Sequence, residues 1–99
     1  MANFLVLLNT TPQFRGPPLL KALKDACGEE PVAAWASETT FGMFVAADMS
    51  PGGIYRAIVN AKPLVTSILV LEVGPRWAHS QTDSRAAGWL QGHLGRQAF

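Results

Sequence analysis

The chain opens on an unbroken apolar run, Phe4-Leu5-Val6-Leu7-Leu8, closed by Asn9-Thr10-Thr11-Pro12. A run this short and apolar on both faces predicts a strand buried on both sides, at the centre of a sheet. Pro12 and Gly16 punctuate the loop that follows, and Pro17 and Pro18 suit the first turn of a helix, where a missing N–H costs nothing. Leu19, Leu20, Leu23, Ala26 and Cys27 then recur at helical spacing, with Lys21, Lys24 and Asp25 outside and Gly28 as the stop. Val32–Ser37 and Thr40–Ala47 read as two strands joined by a turn near Glu38-Thr39. On the second of these, Phe41, Met43 and Val45 share one face, while Thr40, Gly42, Phe44 and Ala46 share the other. Ser50-Pro51 supplies an N-cap and a first helical residue for a helix whose buried stripe is Ile54, Ala57, Ile58 and Ala61. Leu64–Val73 gives a last strand, and its apolar stretch Ile68–Leu71 predicts a central place beside the first.

The order strand, helix, strand, strand, helix, strand predicts an α+β, ferredoxin-like βαββαβ sandwich: a four-stranded antiparallel sheet with two helices on one face. Residues 1–75 form that domain, and residues 76–99 a tail. Trp77, Trp89 and Leu90 are too apolar for a free terminus. Asp83 or Ser84 can cap a tail helix carrying Ala86, Ala87, Leu90 and Leu94. Gly88, Gly92 and Gly95 weaken it by roughly 1 kcal/mol each relative to Ala, so it forms only if it docks on the domain or on a partner subunit. Phe4, Phe44 and Trp35 are expected to line the sheet face that the two helices leave bare.

Composition sharpens this expectation. The 99 residues suffice for one core, and only 15% of them are charged against 48% hydrophobic. Soluble domains average roughly 25% charged residues, so this chain has apolar surface to hide, which points to self-association. The net charge is +1, and from Arg56 onward Arg56, Lys62, Arg76, Arg85 and Arg96 outweigh Glu72 and Asp83. That tilt falls short of the basic stripe of a nucleic-acid binder. The single cysteine, Cys27, excludes an internal disulfide and offers no metal-site spacing; its apolar neighbours suit a small core residue. The sequence shows no signal-peptide pattern and no stretch of transmembrane length, so the expectation is a cytoplasmic protein without membrane contact.

Asn3-Phe4-Leu5-Val6-Leu7-Leu8-Asn9, Ala33-Ala34-Trp35 before Thr39-Thr40-Phe41, Asp48-Met49-Ser50 leading into Ile54-Tyr55, and Leu69-Val70-Leu71-Glu72-Val73 followed by Gly88-Trp89-Leu90 carry a family likeness. Over about residues 3–94 the chain resembles the small SinR-family proteins, which are similar to the compact ferredoxin-like proteins of the CRISPR adaptation complex and to the VapD toxins. The resemblance implies the ferredoxin-like fold. It also implies a site at the end of the first strand, where nuclease members carry an Asp that helps to hold a divalent metal between two subunits. The matching residue is Asn9, whose neutral carbonyl is a much weaker ligand for Mg²⁺ than a carboxylate. Glu38 and Asp48 are the nearest substitutes. The departure at Asn9 counts against a nuclease, which needs its ligands to fix the ion and activate water.

Other chemistry is sparse. His79 has Ser80 beside it and Asp83-Ser84 close by in sequence, and His93 lies on the weak tail helix, but no template of acid, base and nucleophile can be assembled from them. Gly52-Gly53 fits helix entry better than any phosphate-loop template. Glu72 is expected to reach the end of its strand and pair with Arg76 or Arg56. Arg56, Arg76 and Arg85 are the material for nucleic-acid binding, but Phe41 and Phe44 point to opposite faces and cannot form one stacking platform. The candidates for an interface are Trp35, Phe44, Trp77, Trp89 and Leu90, since Trp is enriched at interfaces. The function expected is a non-catalytic oligomeric module, a homodimer or a binder of a protein partner, with no cofactor and no catalytic residue. The alternatives are a nucleic-acid-binding protein or nuclease, and a small-molecule sensor or enzyme with Cys27 or Glu72 lining a pocket.

Overall fold

The computed structural model describes residues 1–74 and 84–95. The elements are β1 (Ala2–Thr10), α1 (Gly16–Cys27), β2 (Val32–Ala36), β3 (Thr40–Ala47), α2 (Pro51–Asn60), β4 (Val65–Glu72) and α3 (Ser84–Leu94). They form an α+β protein with one open, four-stranded antiparallel sheet, in the order β2-β3-β1-β4, and three helices. Arg76, Trp77, His79, Ser80, Asp83 and Arg96, which the sequence singles out, lie outside the described residues.

The local signals act as their chemistry dictates. Gly28 adopts φ 84°, a left-handed conformation that a side chain would disfavour, and its N–H closes α1 on the Lys24 carbonyl at 2.8 Å. Ser50 caps α2, its Oγ accepting from the Gly53 N–H at 3.1 Å. That bond occupies the donor a phosphate at Gly52-Gly53 would need. In the β2–β3 turn the Ser37 Oγ accepts from the N–H groups of Thr39 and Thr40, which ends β2 at Ala36.

Register sorts the side chains. Phe4 lies opposite Val45, Val6 opposite Met43 and Leu8 opposite Phe41, all on the face that α1 and α2 cover. With Leu19, Leu23, Ile54 and Ile58 they make the main core. The stripe expected of α2 holds, with Ile54 and Ile58 fully buried and Ala57 and Ala61 packed beside them. Leu5, Leu7, Gly42 and Phe44 fall on the opposite face.

Two expectations fail here. Phe4 does not line the second face: it shares strand parity with Val6 and Leu8 and is fully buried beneath the helices. The last strand is not central. β4 pairs with β1 but forms the edge of the sheet. An apolar run on both faces can mean a central strand, but β4 buries Ile68 and Val70 only partly and leaves Leu69 and Leu71 exposed. Among the described residues no helix is long and apolar enough to cross a membrane.

Candidate functional site

The second face is covered over part of its width. α3 lays Ala86, Trp89 and Leu90 onto Phe44 and Ala46, with Leu5, Val32, Ala34 and Leu94 around them. The Trp89 ring stacks on Phe44, centroids 5.0 Å apart and 14° between planes, and the His93 ring stacks on Trp89 at 4.2 Å. His93 Nε2 lies 2.6 Å from Glu29 Oε1, and Nδ1 lies 2.9 Å from the Trp89 carbonyl. Both neighbours are acceptors, so both contacts are hydrogen bonds only when each ring nitrogen carries a proton. The pair ties α3 to the α1–β2 connection. Glycine-weakened as it is, α3 gains its stability from this docking. Among the described residues the buried Trp89 indole N–H meets no acceptor.

Beyond the reach of α3 the face is apolar and, among the described residues, carries no covering element. Trp35 on β2, Gly42 on β3, Leu7 on β1 and Leu69 on β4 are cross-strand neighbours in one row across the sheet. Leu71 follows two residues along β4. Trp35 is 47% exposed, Leu7 39%, Leu69 50% and Leu71 45%. Gly42 shapes this row, since a Cβ there would stand 2.9 Å from Trp35 Cε3 and 3.2 Å from Leu7 Cδ2. Its missing side chain lets the indole lie over β3, edge-on to Phe44 at 5.7 Å. The result is a hollow of about 260 Å³ floored by Leu7, Gly42 and Leu69, with Asn9, Thr40 and Ser67 supplying polar groups along one side.

The interface candidates divide between these zones. Phe44, Trp89 and Leu90 are buried against one another inside the chain, and Trp35 faces solvent. Trp77 lies outside the described residues. The metal candidates sit at two ends of the sheet. Asn9 pairs with Thr40, and the turn holding Glu38 abuts it through the Thr10 N–H, which donates to the Thr39 carbonyl at 2.8 Å. Asp48 lies at the other end, 3.3 Å from the amino terminus, with the length of β1, about 27 Å, between them. Among the described residues no three His, Cys, Asp or Glu side chains are grouped to hold a metal.

Arg56 is on α2 and Arg85 on α3, which pack on opposite faces of the sheet. Glu72 reaches the end of β4 and is exposed, as expected of it, without an ion pair to Arg56. Cys27 is half-buried against the main core, and burial pushes its thiol above the ordinary range. Tyr55 and Val59 are also exposed, one turn apart on the outer side of α2.

Leu7, Gly42, Leu69 and Leu71 were not singled out by sequence reasoning as site residues. Strict alternation carried the signal: once Phe4, Val6 and Leu8 face α1 and α2, Leu5 and Leu7 must face the other way. Comparison with known protein families, with curated proteins and with solved structures finds no match for this chain.

Proposed function

We propose that the protein is a non-catalytic association module of ferredoxin-like architecture that works as a homodimer through the β4 side of its sheet. The strand order β2-β3-β1-β4, antiparallel throughout, supports the ferredoxin-like reading. The observation that carries the functional reading is the row of Trp35, Leu7 and Leu69, with Leu71 beside it. Single exposed apolar residues are ordinary, whereas a contiguous set on one face of a small domain marks an interaction surface. A chain this lean in charge has little polar surface with which to keep such a face solvated. Sedimentation equilibrium across the micromolar range tests it, comparing the unaltered chain with Leu69→Lys, whose exposed position spares the core. A dimer weakened at least about tenfold by the lysine is expected, from a strongly hydrated charge on an apolar contact. A monomer at every concentration would refute the proposal.

A second reading draws on the hollow beside Gly42. An apolar floor with neutral hydrogen-bonding groups on one side suits a small, partly apolar molecule. An apolar dye that binds monomeric Leu71→Lys protein, which is altered outside the hollow, and no longer binds once Gly42→Ala narrows the hollow would favour it. The nucleic-acid reading is not adopted, because Arg56 and Arg85 stand on opposite faces and form no common stripe.

A further inference from the structure

The two edges of the sheet are finished differently. β2 is five residues long, follows Pro31, and shifts register between Ala33 and Trp35; α3 packs against it. Short length, a bulge and a covering helix are the usual ways to keep an edge from pairing. β4 carries one such device, at its start: Asn9 pairs with Ser67 and Thr10 with Val65, leaving Thr66 unmatched. From Ser67 to Glu72 the strand is regular and contains no Lys, Arg or Pro, and its one charge is the last residue. Among the described residues nothing else guards this edge.

Its hydrogen-bonding direction follows from one contact. The Val73 N–H donates to the Asn3 carbonyl at 2.9 Å, so the backbone of residue 73 faces β1. Alternation turns Leu71, Leu69 and Ser67 the same way and leaves the N–H and C=O groups of Ile68, Val70 and Glu72 directed outward. Among the described residues these groups have no partner strand.

We infer that the occupant is β4 of a second copy, paired antiparallel about a two-fold axis near Val70; this rests on the dimer reading above and specifies its geometry. The strand is self-complementary in that arrangement. Leu69 falls opposite the partner subunit's Leu71, Val70 meets its own symmetry mate, and the two Glu72 carboxylates lie at opposite ends, so no like charges meet. The outward groups of Ile68, Val70 and Glu72 then form about six inter-strand hydrogen bonds. The two sheets become one of eight strands. Because each α3 covers the β2–β3 side, the bare half-faces join in the middle as one apolar floor with a helix at either end.

Amide hydrogen exchange read residue by residue on the full chain tests this, at concentrations where sedimentation has fixed the oligomeric state. The amides of Ile68, Val70 and Glu72 are expected to exchange at least about tenfold more slowly in the dimer than on dilution, while Leu69 and Leu71, bonded to β1 in both states, gain less. A dimer in which the three outward amides exchange freely would overturn edge pairing and leave self-association standing. A monomer at all concentrations would remove both. Protection of the three amides in a monomer would show that the chain covers its own edge, and would also overturn the inference. Val70→Pro gives an independent check, since proline removes an outward donor without touching the bonds to β1. A folded monomer is expected, and a folded dimer of unchanged affinity would contradict the pairing.

Discussion

On the α1 and α2 side of the sheet, Phe4, Val6, Met43 and Val45 meet Leu23, Ile54 and Ile58, and all seven are at 0% exposure. On the α3 side, Phe44 and Ala46 are nearly as well buried, yet Leu7 and Leu69 on the neighbouring strands are 39% and 50% exposed. Geometry accounts for the contrast. Strands lie about 4.8 Å apart and a helix with its side chains is about 10 Å wide, so one helix covers about two strands. Two helices suffice for four strands; α3 alone does not. The difference teaches that the second face has a deficit in coverage rather than in packing quality, because what α3 touches it buries well.

Removing α3 from its seat is the strongest way to break the comparison. Trp89→Ala takes away the ring that stacks on both Phe44 and His93, and a loss of about 3–5 kcal/mol in urea unfolding is expected. Trp89→Phe keeps a ring on Phe44 and deletes the unpartnered indole N–H, so its cost is expected to stay near 1 kcal/mol. Equal losses in the two variants would mean that the stack contributes little. Gly42→Ala probes the uncovered half. Its new methyl must displace Trp35, which cannot yield at its Cε3 without turning the ring, so about 1–3 kcal/mol is expected. A change in the Trp35 near-ultraviolet signal would accompany it.

Cys27 on the covered side gives the smallest effect. Burial raises its thiol above the ordinary value, so its reactive thiolate forms at more alkaline pH than that of an exposed cysteine. Alkylation of the native protein is therefore expected to be slower than that of urea-unfolded protein at the same pH. Equal rates would place Cys27 in solvent.

The elements were legible because each carried a local physical signal. Gly28 and Ser50-Pro51 mark helix ends through backbone conformation and capping, and β3 coincides with its alternating pattern from Thr40 to Ala47. What the sequence concealed was relational. Ile68–Leu71 has the same character in an edge strand as in a central one, since a neighbouring strand leaves no mark on composition. The parity of Phe4 depended on which face the helices choose. His93 reads as a surface histidine, but its ring is seated between Trp89 and Glu29, residues four and 64 positions away. The bare half-face follows from the width of α3 relative to the sheet, a quantity no local pattern encodes.

The account rests on the β4 edge, at the open end of the uncovered half-face, being where two copies meet, and intermolecular NOEs measure that directly. A sample mixing methyl-labelled with unlabelled chains reports only contacts between copies. Leu69 and Leu71 methyls are expected to show such contacts, and Leu19 and Leu23, buried between α1 and the sheet, none. Contacts arising instead from Val59 and Tyr55 on the outer side of α2 would contradict the account, as would an absence of contacts at concentrations where the protein is dimeric.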